Sequence, residues 1–107
     1  MVFFIELSYD LNKYGNKFQD TIFLLAERFG CQYLYCDYEF EGSSKRITRS
    51  HIVYMFKFDE SIIAVEELEK FMENIKKLRK VYIESVCNEN NELVMTSSYY
   101  RKKKQTR

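Results

Sequence analysis

The chain has 107 residues, of which 46% are hydrophobic and 17% aromatic. That composition excludes a disordered body and suffices for one modest core. Seventeen Lys and Arg stand against 16 Asp and Glu, a net charge of +1, but the balance is uneven along the chain. Residues 101–107 carry five of the basic residues and no acidic one, which leaves 12 basic against 16 acidic in residues 1–100, a balance of −4. The expected organisation is a mildly acidic domain over 1–100 and a flexible basic tail over 101–107.

The N-terminal stretch Met1-Val-Phe-Phe-Ile has no basic flank, and Glu6 and Asp10 interrupt any apolar run, so no secretory signal is expected. No apolar run approaches the length of a membrane span. Cys31, Cys36 and Cys87 are an odd set without a tight pairing pattern, which fits reduced thiols. The expectation is a cytoplasmic protein with no membrane partner and no cofactor.

Residues 2–9 alternate Phe3, Ile5 and Leu7 against Phe4, Glu6 and Ser8, the period of a strand. Asp10 to Asn16 reads as a polar loop. A helix follows to about Phe29, because Phe18, Ile22, Leu25, Ala26 and Phe29 form one helical stripe. Gly30 stands where a helix-capping glycine is favoured. Residues 31–40 form a second strand, with Leu34, Cys36, Tyr38 and Phe40 on one face and Tyr33, Tyr35, Asp37 and Glu39 on the other.

Residues 41–49 read as a polar, partly basic connection rather than a tight hairpin. Residues 50–58 are the clearest strand, with Ile52, Tyr54, Phe56 and Phe58 opposed to His51, Val53, Met55 and Lys57. A second helix, capped by Asp59 or Ser61, runs to about Lys80 on the seam Val65, Leu68, Met72 and Ile75. Its glutamates come early and its lysines late, as the helix dipole favours. Residues 81–87 form a fourth strand. After a turn at Asn88, Leu93 to Tyr100 suit a fifth.

This order predicts an α+β fold, the ferredoxin-like βαββαβ split sandwich with an optional extra strand at the C-terminal edge. Both helices of that fold cover one sheet face. If Phe3, Ile5, Leu7, Ile52, Tyr54 and Phe56 face the helices, the open face gathers Phe4, Tyr33, Tyr35, Val53 and Met55. Tyr82 and Val86 flank them. An apolar and aromatic patch of that kind calls for a cover.

Three covers are expected. Nucleic acid, RNA or single-stranded DNA, would stack on the aromatics while basic residues hold phosphates. Those residues are Lys45, Arg46 and Arg49 in the central connection and Arg101, Lys102, Lys103 and Lys104 in the tail. Lys76, Lys77, Arg79 and Lys80 extend the footprint. The second cover is a protein, in the first instance another copy in a homodimer. The third is the chain's own segment 93–107.

The third-strand stretch Ser50 to Phe58 lacks the glycines and leading basic residue of an RNA-recognition motif, although the element order is shared. The loop after strand one lacks the arginine of acylphosphatases. Asp10, at the end of strand one, resembles in that residue and in topology the small CRISPR-associated nucleases of ferredoxin-like fold. That resemblance implies a metal held between two subunits, and makes a metal-dependent nuclease the third functional reading. The plain alternative is an aspartate that forms a local turn. His51 is the sole histidine and has no partner fixed by sequence. No phosphate-cradling loop or nucleophile elbow is present, so binding is expected before catalysis.

Overall fold

The alternation of residues 2–9 carries into a strand β1, Val2–Asp10, whose Phe3, Ile5, Leu7 and Tyr9 are buried. The structure is a computed structural model. It describes residues 1–43 and 46–94, and the side chains of all of these except 41–43 and 46–49. After β1 come α1 (Leu11–Tyr14), α2 (Gln19–Phe29), β2 (Gln32–Ser43), β3 (Arg46–Asp59), α3 (Val65–Lys77) and β4 (Tyr82–Asn88). The sheet order is β2-β3-β1-β4, and every neighbouring pair is antiparallel. Among the described residues the result is an α+β fold with an open four-stranded sheet and three helices, consistent with a ferredoxin-like split sandwich.

The core lies between the sheet and the helices. Phe56, Phe58, Leu68, Phe71 and Ile75 are fully buried there. Phe56 sits edge-on to Phe71 at 5.8 Å and to Phe23 at 6.2 Å. Each such ring pair contributes about 0.5–1.5 kcal/mol beyond burial. The buried Tyr9 and Tyr54 hydroxyls lie 3.5 Å apart, which gives each polar tip a partner inside the core.

Several boundaries differ from the sequence expectation. The predicted loop after β1 contains the short helix α1, which Asp10 caps by accepting from the Lys13 N–H at 3.0 Å. The second long helix begins at Val65 rather than at its predicted cap. Asp59 instead accepts from both the N–H and the hydroxyl of Ser61, and those bonds hold its carboxyl below the usual range. At the end of α2, Gly30 adopts φ 79°, and its N–H reaches back to Ala26 and Glu27. A Cβ there would collide with the Ile63 side chain.

The connection 41–49 is the largest difference. The strands continue pairing through Glu41↔Thr48 and Gly42↔Ile47 to Ser43↔Arg46. Nothing in β1 accompanies them, since its last pair is Asp10↔His51. Five residues of β3, Arg46–Ser50, therefore extend past the sheet as half of a two-stranded ribbon. At about 3.3 Å per residue the ribbon projects on the order of 16 Å. Its sequence shows no apolar alternation, and it reads as a loop.

Three irregularities interrupt the pairing. On β2, Tyr33 pairs with Phe56 and Tyr35 with Met55, leaving Leu34 as the extra residue. On β4, Leu7 pairs with Ile83 and Glu6 with Ser85, leaving Glu84 extra. On β3, Glu39 pairs with His51 and Phe40 with Arg49, leaving Ser50 extra. A bulge shifts the face parity of everything beyond it and bends its strand.

Leu93 bridges to Cys87, and the Val94 N–H donates to the Val86 carbonyl at 2.9 Å. A return along the free edge of β4 has thus begun by Val94. The expected fifth strand over 95–100 lies outside the described residues. Among the described residues, no helix is long and apolar enough to cross a membrane.

Candidate functional site

The open face differs from its predicted make-up because of two bulges. Tyr33 is not on it. Its ring packs against Phe23 at 5.0 Å, Phe56 at 5.8 Å and Tyr54 at 6.3 Å, on the helix side. Val86 is not on it either, being 1% exposed in the core. Both corrections follow from counting alternation across a bulge. Cys36 likewise packs against the core, as does Cys31, whose thiol burial pushes up to about 12.

Phe4, Tyr35, Val53 and Met55 do share the open face, as predicted. Leu34 joins them, and Phe4, Leu34, Tyr35 and Met55 line a depression of about 360 Å³ together with Cys87 and Glu6. The rest of the face is acidic. Glu6 stands beside Glu84 and Glu39, and burial together with those two carboxylates raises its pKa above the ordinary 4.5. The Ser8 hydroxyl donates to Glu84 at 3.0 Å. Asp37 and Glu39 lie opposite Val53 and His51. Four carboxylates against Lys57 and His51 make this a poor surface for phosphates.

Basic residues gather elsewhere, and the topology explains where. The end of the sheet marked by Asp10, His51 and Tyr82 is where β1 stops, where the β2–β3 ribbon departs and where α3 hands over to β4. Lys13 and Lys17 follow β1 directly, and both are exposed. Lys17 lies 5.7 Å from the centre of the Phe18 ring, which packs on Tyr9 and so ties the loop to this end. Lys76, Lys77, Arg79 and Lys80 close α3, and all four are exposed. Lys76, Lys77 and Arg79 line a shallow concavity with Glu73.

Arg46 and Arg49 occupy the ribbon opposite Ser43 and Phe40. Their side chains, and all of Lys45, lie outside the described residues, as do Arg101, Lys102, Lys103 and Lys104. Eight of the 12 basic residues in 1–100 thus stand on elements that meet at one end. The acids there are Asp10, occupied as a helix cap, Asp20 at the start of α2, Glu73 below the α3 lysines, and Glu41 on the ribbon.

The opposite end is acidic. It holds Asp59, Glu60, Glu66, Glu67 and Glu69 around the start of α3, and Glu89 and Glu92 in the turn after β4. The ion pairs of Met1 with Glu60 and of Lys70 with Glu67 do not involve the basic end.

Arg79 has φ 63°. It follows the α3 cap at Leu78, in the left-handed position that glycine normally takes. For an L residue that conformation costs roughly 1–2 kcal/mol.

Sequence reading found the α3 cations and the ribbon arginines but missed Lys13 and Lys17. Two lone lysines in a loop give no local signal. Only the strand order, which puts the end of β1 beside the root of the ribbon, assembles them with the others. Asp10 serves α1 as a cap, and among the described residues no group of three or more His, Cys, Asp or Glu side chains is placed to hold a metal. No family model and no curated protein matches this chain.

Proposed function

We propose that this protein binds nucleic acid through its basic end. The observation that carries the reading is the segregation of charge: chain segments distant in sequence bring Lys13, Lys17, Lys76, Lys77, Arg79 and Lys80 to one end, while the acids collect at the other end and on the open face. The dipole of α3 accounts for Lys76 and Lys77. It does not account for Arg79 and Lys80 beyond the helix, for Lys13 and Lys17, or for the ribbon arginines. Clustered cations displace the counterions of a phosphate backbone, and that release drives association.

We read the fold as a ferredoxin-like split sandwich whose fifth strand continues the pairing begun at Leu93. Counting from Leu93↔Cys87, a continued antiparallel register sets residue 98 opposite Tyr82. Residues 101–107 would then emerge at the basic end and add five cations to it. The setting for such a protein is the cytoplasm.

The test is fluorescence anisotropy with a mixed 20-nucleotide pool between 50 and 300 mM salt. Binding should fall steeply with salt. The triple variant Lys76→Glu, Lys77→Glu, Lys80→Glu should reduce the log–log slope by about 2–3, since each phosphate contact contributes about 0.9 on a duplex. Deletion of 101–107 should reduce it further. A slope untouched by the triple variant would sink the reading.

The depression formed by Phe4, Leu34, Tyr35 and Met55 favours a second reading, a protein contact on the open face, with another copy of the chain as the simplest partner. Met55→Lys then yields a monomer where the parent scatters light as a dimer. A parent that is already monomeric removes it.

A further inference from the structure

We infer that this chain associates head to tail, the basic end of one copy seating on the acid-rimmed depression in the open face of the next. The inference rests on the open-face contact given above as the second reading, and it names the surface of the other copy that fills it.

The depression is a seat of one particular chemistry. Phe4, Leu34, Tyr35 and Met55 form its apolar part, and Glu6 and Glu89 line it with them. Glu84, Asp37 and Glu39 stand on the same face. Glu92 is held in the turn of Glu89, where it accepts from the Asn88 side chain at 3.3 Å. Tyr35 is 52% exposed, so its ring is open to contact. Apolar surface with carboxylates around it suits long cationic side chains. Their methylene stems lie on the apolar groups, their heads reach the carboxylates, and an aromatic ring adds cation–π attraction.

Charge complementarity decides which surface of a second copy fits. A two-fold axis would set face against face and bring Glu6, Glu84, Asp37 and Glu39 onto their own counterparts. Like charges opposed across an interface are unfavourable. The same chain carries the matching surface at the other end of its sheet, where Lys13, Lys17, Lys77, Arg79 and Lys80 are exposed. Lys77 and Arg79 edge a shallow concavity at the end of α3, and Lys80 follows on the way into β4.

Their placement lets the association grow. Phe4 pairs with Cys87 near the start of β1, and Asp10 closes that strand where the basic end begins. Six positions of strand separate Phe4 from Asp10, about 20 Å. That exceeds the screening length of about 10 Å at 0.1 M salt, so an approaching copy meets each pole separately. One copy can also use both surfaces at once. A contact between two different patches leaves a free patch at each end unless its rotation closes a ring, so the assembly lengthens with concentration.

The experiment is light scattering on the full chain over a wide concentration range, with no nucleic acid present. At about 50 mM salt the mass should rise with concentration through a dimer to larger species, and at about 500 mM it should fall back to that of one chain. Met55→Lys fills the seat with a cation of its own, and the double variant Lys77→Glu, Lys80→Glu reverses the end. Each variant alone should stay monomeric at the lower salt. Mixed in equal amounts, they should form a species of two chains and stop there, because one still offers its basic end and the other its seat. Glu89→Lys, in the exposed turn, replaces Met55→Lys should that variant fail to fold. An end variant that still associates, growth indifferent to salt, or a mixture that stays monomeric overturns the head-to-tail arrangement. A parent dimer that does not grow, with an end variant that also dimerises, leaves the open-face reading standing as a face-to-face contact. A parent that is monomeric at every concentration overturns both. The nucleic-acid reading is decided separately, by anisotropy.

Discussion

The open sheet face and the ribbon end meet along one edge of the same sheet, and they carry opposite chemistry. The open face is apolar at Phe4, Leu34, Tyr35 and Met55 and acidic around Glu6, Glu84 and Glu39. The other end is cationic at Lys13, Lys17, Lys76, Lys77, Arg79 and Lys80, all exposed. An aromatic face looks like a platform for bases when side chains are counted by alternation alone. Once charge is placed in space, the basic end is the better match for phosphates in the proposed reading. For a surface of this size the sign of the field decides before the aromatic content does.

The sharpest way to break this comparison is to alter each region separately. Reversing Lys76, Lys77 and Lys80 should weaken nucleic-acid binding by about 100-fold at moderate salt, given the salt dependence of each lost contact. The paired substitution Tyr35→Ala, Met55→Ala on the open face should change it by less than about twofold, whereas a lost stacking platform costs about 1–3 kcal/mol per base. Anisotropy on the two variants separates these outcomes by well over an order of magnitude. A large loss from the open-face pair would return the site to the sheet.

The fold was legible in the sequence because its periods are clean where a core enforces them. Phe3, Ile5 and Leu7, and Ile52, Tyr54 and Phe56, are buried as their alternation implies. Legibility failed beyond the last pair of β1 with β3. The ribbon's sequence carries no apolar period and so reads as a connection. It failed also at the bulges. Leu34 and Glu84 each add a residue to a strand, and a period-two count has no means of detecting that, so Tyr33 and Val86 fell on the wrong face. The basic end was half legible: a run such as Lys76 to Lys80 is local, but its meeting with Lys13 and Lys17 is a property of strand order.

A smaller effect sharpens the comparison at Arg79. The left-handed backbone there suits glycine, so Arg79→Gly should raise stability by about 0.5–1 kcal/mol after the entropy of glycine is counted. For a domain of this size that is a rise in Tm of about 3–6 °C. If the arginine is kept at this position for its charge, the same variant loses about 0.9 from the salt slope. Thermal melts and anisotropy on the one variant thus move in opposite senses. Greater stability with unchanged binding would make Arg79 structurally awkward and functionally idle.

The smallest effect belongs to the open face. Glu6 is half-buried, and burial, then Glu84 and Glu39, raise its pKa above 4.5. A raised folded pKa means that the native state holds the proton more tightly than the unfolded chain does. Stability therefore falls as pH rises from 4.5 through the folded value, and the loss is complete above it. Glu6→Gln removes that titration. The variant should melt higher than the parent at pH 7, and the difference should shrink as pH drops to 4.5 and vanish below it. Because the carboxylate keeps considerable contact with water, screening holds the gain to a small one. Melts of both proteins between pH 4 and 8 would show it. A gap that stayed constant with pH would mean that Glu6 acts through packing against the Phe4 and Met55 depression, and that the acidic character of this face does not set its energetics.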